Sequence, residues 1–114
     1  MSYYIYVTRK DDPLDETGPE ITRAEWEAIV AADPDLTLAD PPNKKAGDPT
    51  VYAMWADYYA DGGEIWFELD WGNICINLHG WAIGEKIDPA ILFKLRRFAA
   101  KTGGQIISEL DERF

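Results

Sequence analysis

One histidine, His79, and one cysteine, Cys75, are the side chains here best suited to act as a nucleophile and its base, or as zinc ligands. In a strand, residues four apart point to the same side but stand about 13 Å apart, too far for a thiolate–imidazole pair. A zinc site would need further ligands, and none accompanies them. Cys75 therefore reads as a small, semi-apolar filler, and His79 as a structural partner of Glu64 across a hairpin. Glu64, Glu68 and Asp70, with Asp57 nearby, could in principle do acid–base work, but nothing in their spacing indicates a cleft or a raised pKa. Asp11-Asp12 and Asp33-Pro34-Asp35 resemble pieces of cation sites without the EF-hand loop pattern. Gly62, Gly63, Gly103 and Gly104 fall at turns and caps, not in a phosphate loop. These residues yield no catalytic constellation, no cofactor motif and no metal set, so the chain reads as a non-enzyme.

The strongest pattern concerns binding. Between Val51 and Glu85 there is no lysine or arginine, while six acids and eight of the fifteen aromatics fall there. Tryptophan and tyrosine bring large contact area with a polar handle, and carboxylates attract cations over long range. Together they predict a surface that captures something basic.

Composition narrows the partner. The 114 residues carry a formal net charge of −10. That argues against nucleic acid, whose phosphates need neutralising cations, and against anionic membrane surfaces. The same charge would also serve solubility alone. With 46% apolar and 13% aromatic residues the chain is expected to fold as one domain spanning 1–114. A single cysteine fits a reducing compartment. No signal peptide or membrane-length apolar run is visible, so a cytoplasmic location is expected.

The elements that must position these residues follow from periodicity. Tyr3 to Arg9 reads as a strand, and Asp11 to Glu20, with two prolines, a glycine and five acids, as a loop. Thr22 and Glu25 have capping-box spacing, flanked by the staple pair Ile21 and Trp26, and Asp33-Pro34 ends that helix. Leu36 and Leu38 follow as a short extended piece. A polar stretch from Asp40 to Thr50 leads into strands at Val51–Tyr59, Glu64–Leu69 and Ile74–Leu78, with Asp61-Gly62-Gly63 turning the chain after the first. Asp88 caps a second helix with Pro89 at its first position, and Ile87 and Leu92 are placed for a second staple. Ile91, Leu92, Leu95, Phe98 and Ala99 form its buried stripe. Lys94, Arg96, Arg97 and Lys101 are expected on its solvent side or near its C-terminal dipole, free to neutralise the acidic tail. Gly103 supplies a left-handed cap, and Gln105 to Leu110 a last strand. The order β-α-β-β-β-α-β predicts an α+β fold: a mainly antiparallel sheet with two helices on one face.

The hairpin across Asp70-Trp71-Gly72-Asn73 fixes the register. With Asp70 opposite Asn73, Leu69 faces Ile74, Phe67 faces Ile76 and Ile65 faces Leu78, and these six must meet the helices. The opposite face then shows Glu64, Trp66, Glu68, Asp70, Asn73, Cys75, Asn77 and His79. A tryptophan between two glutamates on that face reads as a binding anchor, or as a residue packed under a loop.

The segments Ile-Thr-Arg-Ala-Glu-Trp-Glu at 21–27, Trp-Phe-Glu-Leu at 66–69, the helix Asp88 to Thr102 and Gly-Gly-Gln-Ile-Ile-Ser-Glu at 103–109 form a layout that resembles small bacterial immunity proteins. Those belong to polymorphic toxin and contact-dependent growth inhibition systems. The layout also looks like other bacterial proteins with this helix-then-strand ending. The first resemblance implies a cytoplasmic protein that blocks a basic toxin domain by direct binding. It carries no residue roles, because such families diverge at their binding surfaces. From the residues themselves, Trp66, Glu68, Glu64 and Asp70 are the expected partner-binding set, with Asp57 and Trp71 at the rim. Two other readings stand beside it: a small-molecule-binding or enzymatic domain with an aromatic-lined pocket, and a homodimer formed through a sheet edge or the aromatic face.

Overall fold

A computed structural model describes residues 2–60, 63–79 and 88–114. The side chains of residues 2, 56–64 and 79 lie outside the described set, and so do the expected turn at Asp61-Gly62, the Ile87 staple and the Glu64–His79 pair.

Eight elements follow in order: β1 (Ser2–Thr8), α1 (Arg23–Ala32), β2 (Leu36–Leu38), β3 (Val51–Ala60), β4 (Gly63–Asp70), β5 (Asn73–His79), α2 (Pro89–Thr102) and β6 (Gln105–Ser108). The strands form one six-stranded sheet in the order β2-β3-β4-β5-β1-β6, and every neighbouring pair is antiparallel. The fold is α+β, as the periodicity predicts. The extended piece at Leu36–Leu38 becomes the edge strand β2, paired with Ala53–Trp55.

Hairpin register is as the alternation requires: Asp70 opposes Asn73, Leu69 opposes Ile74 and Phe67 opposes Ile76. One sheet face therefore presents Tyr3, Ile5 and Val7 of β1, Ala53 of β3, Ile65, Phe67 and Leu69 of β4, Ile74, Ile76 and Leu78 of β5, and Ile106 of β6 to a single core. Both helices close that core. Trp26, Ile29 and Val30 come from α1, and Ile91, Leu95 and Phe98 from α2. At its centre Phe98 meets Trp26 and Phe67 edge-on, with ring centroids 5.4 and 5.1 Å apart, the geometry the ring quadrupoles favour. Indole Nε1 of Trp26 donates to the Val51 carbonyl at 3.0 Å, so its burial leaves no orphan donor.

The caps are as the sequence predicts. Thr22 and Glu25 form the reciprocal capping box of α1. Asp88 accepts from the Ala90 N–H at the start of α2, and Gly103 ends that helix at φ 70°. Glu25 has a second role that the spacing does not reveal, since it is gripped by both terminal nitrogens of the Arg9 guanidinium. This ties the end of β1 to the start of α1.

Three expectations need correction. Lys94 does not lie on the solvent side of α2; it is buried, and its Nζ sits 2.8 Å from both Asp33 and Asp35 and 4.6 Å from the Trp55 ring centre. The basic helix face does not take up the acidic tail at Glu112, whose carboxylate instead accepts from Tyr3 and Ser108. The last strand stops at Ser108, not Leu110. There the chain turns back through Asp111 at φ 63°, and Arg113 bridges to Ile107, covering the outer edge of β6.

Candidate functional site

The face turned away from the helices carries Tyr52 and Met54 of β3, Trp66, Glu68 and Asp70 of β4, Asn73, Cys75 and Asn77 of β5, Tyr4 and Tyr6 of β1, and Ile107 of β6. Strand pairing lines one row straight across it: Tyr52 beside Glu68, Glu68 beside Cys75, Cys75 beside Tyr6, and Tyr6 beside Ile107. Cys75 is the smallest side chain of that row. A short residue between a glutamate and a tyrosine leaves a hollow, and Tyr4 stacks beside Tyr6 at 6.2 Å with rings 13° apart to form one wall.

Two loops complete the walls. The 9–20 loop is fastened by a buried lysine: Lys10 Nζ donates to the Asp15 carbonyl at 2.7 Å and the Trp71 carbonyl at 2.9 Å, with Glu20 at 3.7 Å. Asn73 Nδ2 donates to the Pro13 carbonyl at 2.6 Å. These bonds bring Pro13, Leu14 and Glu16 against the hairpin tip. They border an open cavity of about 510 Å³ with Tyr4, Tyr6, Glu68, Asp70, Trp71, Asn73 and Cys75. The 39–50 loop does the same on the other side, where Pro41, Pro42 and Asn43 lean toward Trp66, Tyr52 and Asn77 around a space of about 440 Å³. Tyr4 and Glu68 border both cavities, so the two form one trough across the sheet.

The tip of the hairpin is unusual. Trp71 and Gly72 both take positive φ, 56° and 75°, the pairing a two-residue turn of right-handed twist requires. Glycine is needed at 72 twice over, since a Cβ there would also sit 2.5 Å from Glu20 Cγ. Tryptophan at 71 is disfavoured by backbone sterics, and it is 60% exposed. Beside it, Leu14 is 67% exposed. Two large apolar side chains thus stand at the mouth of a carboxylate-bearing cavity.

Among the described residues no ion pair offsets the two acids of the floor. Burial lifts the Glu68 carboxyl above its ordinary value, helped by Asp70 and Asp48 and opposed by a hydrogen bond from the Cys75 thiol. Asp70 is raised by burial and by Asp48. Burial, with Glu68 and Asp70, pushes the Cys75 thiol far up, so it is a buried thiol and not a nucleophile. Burial lifts the Tyr6 hydroxyl to about 12.

Of the residues expected to bind a partner, Glu68, Asp70 and Trp71 are brought together around the first cavity. Trp66 is half-buried in the second, edge-on to Tyr52 at 6.4 Å, and shares Glu68 with the first. The side chains of Glu64 and Asp57 lie outside the described residues. Asp57 belongs to the part of β3 where pairing with β4 shifts register, between Trp55 and Tyr59. Tyr4, Tyr6, Leu14 and Asn73 were not expected. Alternation in β1 could have flagged the two tyrosines, because Ile5 and Val7 take the core face and leave Tyr4 and Tyr6 on the other.

Among the described residues no helix is long and apolar enough to cross a membrane, and no group of three or more His, Cys, Asp or Glu side chains could hold a metal ion. Compared with protein-family models, curated proteins and solved structures, the chain matches none of them. The reading of this face therefore rests on its own geometry.

Proposed function

We propose that this is a protein-binding module whose trough, bordered by Trp71, Leu14, Tyr4, Glu68, Asp70 and Trp66, docks a basic protein. Its place would be that of a cytoplasmic immunity protein that neutralises a toxin domain by direct contact. One observation carries the reading: an exposed tryptophan held at a disfavoured φ beside two part-buried carboxylates that form no ion pair among the described residues. Exposed aromatics rimmed by charge are the usual anchors of interfaces, and backbone strain is tolerated chiefly where a side chain must be presented. The test is growth rescue and complex formation with the C-terminal domain of a toxin encoded beside this gene. Wild type should protect and bind. Trp71→Ala and Asp70→Lys, folded by circular dichroism, should lose both. Undiminished binding in both variants would remove the trough from recognition.

The cavity volume supports a second reading, because about 510 Å³ lies within the range of small-molecule sites. A small organic molecule without a guanidinium group that raises the unfolding temperature of the isolated protein at micromolar concentration, with no capture of the toxin domain, would favour it.

A further inference from the structure

The molecule already contains one fully assembled cation cage. Lys94 Nζ is held 2.8 Å from Asp33 and 2.8 Å from Asp35, with the Trp55 ring 4.6 Å below it. A second, looser one lies on the open face, where Lys44 Nζ sits 5.6 Å from the Tyr52 ring centre, 3.0 Å from Asp40 and 3.0 Å from the Thr50 carbonyl. The parts are the same each time: carboxylate oxygens and an aromatic face around one positive side chain. The cavity beneath Trp71 has those parts too. Glu68 and Asp70 point to the same side of β4, roughly 7 Å apart along it, close enough for one cation to meet both. Tyr4 and Tyr6 offer stacked rings as a wall. An acceptor is also left over in that wall: Asn73 is 1% exposed, and its Oδ1 has no hydrogen-bond partner. Among the described residues, what is missing is the cation.

We propose that this cavity seats the guanidinium of one arginine of the partner protein, between the carboxylates of Glu68 and Asp70 and against the rings of Tyr4 and Tyr6. This rests on the trough being a protein-binding face. Arginine fits better than lysine for three reasons. Its flat group stacks on aromatic faces, its five donors can reach two carboxylates at once, and it sheds water more readily than an ammonium. The cavity is also far larger than a single ammonium needs.

The probe is N-acetyl-arginine amide, titrated into the intact protein by NMR at fixed ionic strength, beside the amides of citrulline, a neutral isostere, and lysine. Saturable shifts should concentrate at Tyr4, Tyr6 and the Trp71 indole. Citrulline should bind at least about tenfold more weakly, in keeping with loss of charge-assisted hydrogen bonds, and lysine more weakly than arginine. Glu68→Gln combined with Asp70→Asn, which keeps the shape of both side chains, should weaken arginine to the level of citrulline. Equal binding of citrulline or lysine, or arginine binding undiminished in the double variant, would overturn the assignment. If arginine amide fails to bind while Trp71→Ala still abolishes capture of the toxin domain, the guanidinium seat is wrong and the protein-binding face stands. If arginine amide binds as expected while Trp71→Ala and Asp70→Lys both capture the toxin domain normally, the cavity binds a guanidinium but the trough is not the docking face, and the assignment to a partner's arginine falls.

Discussion

Replacing Lys94 by methionine tests whether the buried cage is an electrostatic unit. Methionine keeps most of the apolar stem and its contact with Trp55 but removes the charge. Asp33, 8% exposed, would then be a buried carboxylate whose remaining bond is to the Asp35 N–H at 2.9 Å. Breaking a buried pair in this way costs about 3–5 kcal/mol. The carboxyl can escape by taking a proton. For an ordinary pKa near 3.9, that costs about 4 kcal/mol at pH 7, at about 1.36 kcal/mol per unit, which caps the loss. An expected destabilisation of about 3–4 kcal/mol at pH 7 follows, read from urea unfolding midpoints at constant m-value. The pH dependence has a definite sign. In the wild type, burial acts to raise Asp33, but hydrogen bonds from Lys94 and from the Asp35 N–H, with the Lys94 and Arg97 charges, outweigh it and hold the group below its ordinary value. Its contribution is present above the unfolded pKa and is lost as pH falls through the folded one. In the variant the folded pKa lies above the unfolded value, so stability rises as pH falls into the carboxylate range. Both trends narrow the gap, which should shrink to about 1–2 kcal/mol near pH 4. Lys94→Met with Asp33→Asn should recover at least half of the loss at pH 7. A loss below about 1 kcal/mol, or one independent of pH, would refute the reasoning.

Further outcomes follow from the open face and the first helix. Trp71→Asn should change stability by no more than about 1 kcal/mol, since relief at a positive φ offsets lost packing, yet should weaken toxin-domain binding more than tenfold, chiefly by faster dissociation in stopped-flow kinetics. Glu68→Gln with Asp70→Asn should be more stable than wild type at pH 7, with the margin shrinking as pH falls: burial raises both carboxyls first and foremost, so the native state binds protons more tightly. Capture of the toxin domain by wild type should move the opposite way, weakening as pH falls and beginning above the ordinary carboxylate range. Raising ionic strength from low to physiological should slow association while changing dissociation much less, and a salt-indifferent association rate would leave the −10 charge to solubility alone. For Glu25, whose pKa the Arg9 hydrogen bond lowers to about 2, the stability lost in Glu25→Gln should be present above about pH 4.5 and vanish as pH falls to about 2.

The scaffold was legible because its signals are local. Strict alternation in Ile65–Leu69 and Ile74–Leu78 leaves one register that buries all six apolar residues, and Thr22, Asp88 and Gly103 mark helix ends by their own chemistry. The site was legible only in part. Glu68, Asp70 and Trp71 could be placed on one hairpin, but the cavity between them is closed by loops whose positions depend on long-range bonds. Lys10 reaching Trp71, and Asn73 reaching Pro13, span about sixty positions and leave no periodic trace. Lys94 is a different failure. It lies three residues after Ile91 and four before Phe98, squarely on the buried stripe, and the spacing points inward. A lysine is ordinarily solvated, but one with two carboxylates and an aromatic ring around it can be buried.

The two faces of the sheet differ in how their acids are matched. On the core side of the sheet, acids near an aromatic ring are matched by a lysine of the same chain, and the cage is closed. On the open side, Glu68 is raised by burial and by Asp70 and Asp48, and Asp70 by burial and by Asp48, so keeping them charged costs folding free energy. Nothing in the architecture demands acids there. Glutamine and asparagine would satisfy the pleat, and the row from Tyr52 to Ile107 would pack as well around a neutral side chain. A strained tryptophan at the hairpin tip is likewise unnecessary to the turn, which asparagine would make more comfortably. Three residues that each work against stability, converging on one cavity, set this face apart from an ordinary solvated sheet surface. Such local conflicts are expected where function overrides folding, and the conflict here has a chemical direction. It is relieved by a positively charged, flat, donor-rich group arriving from another molecule.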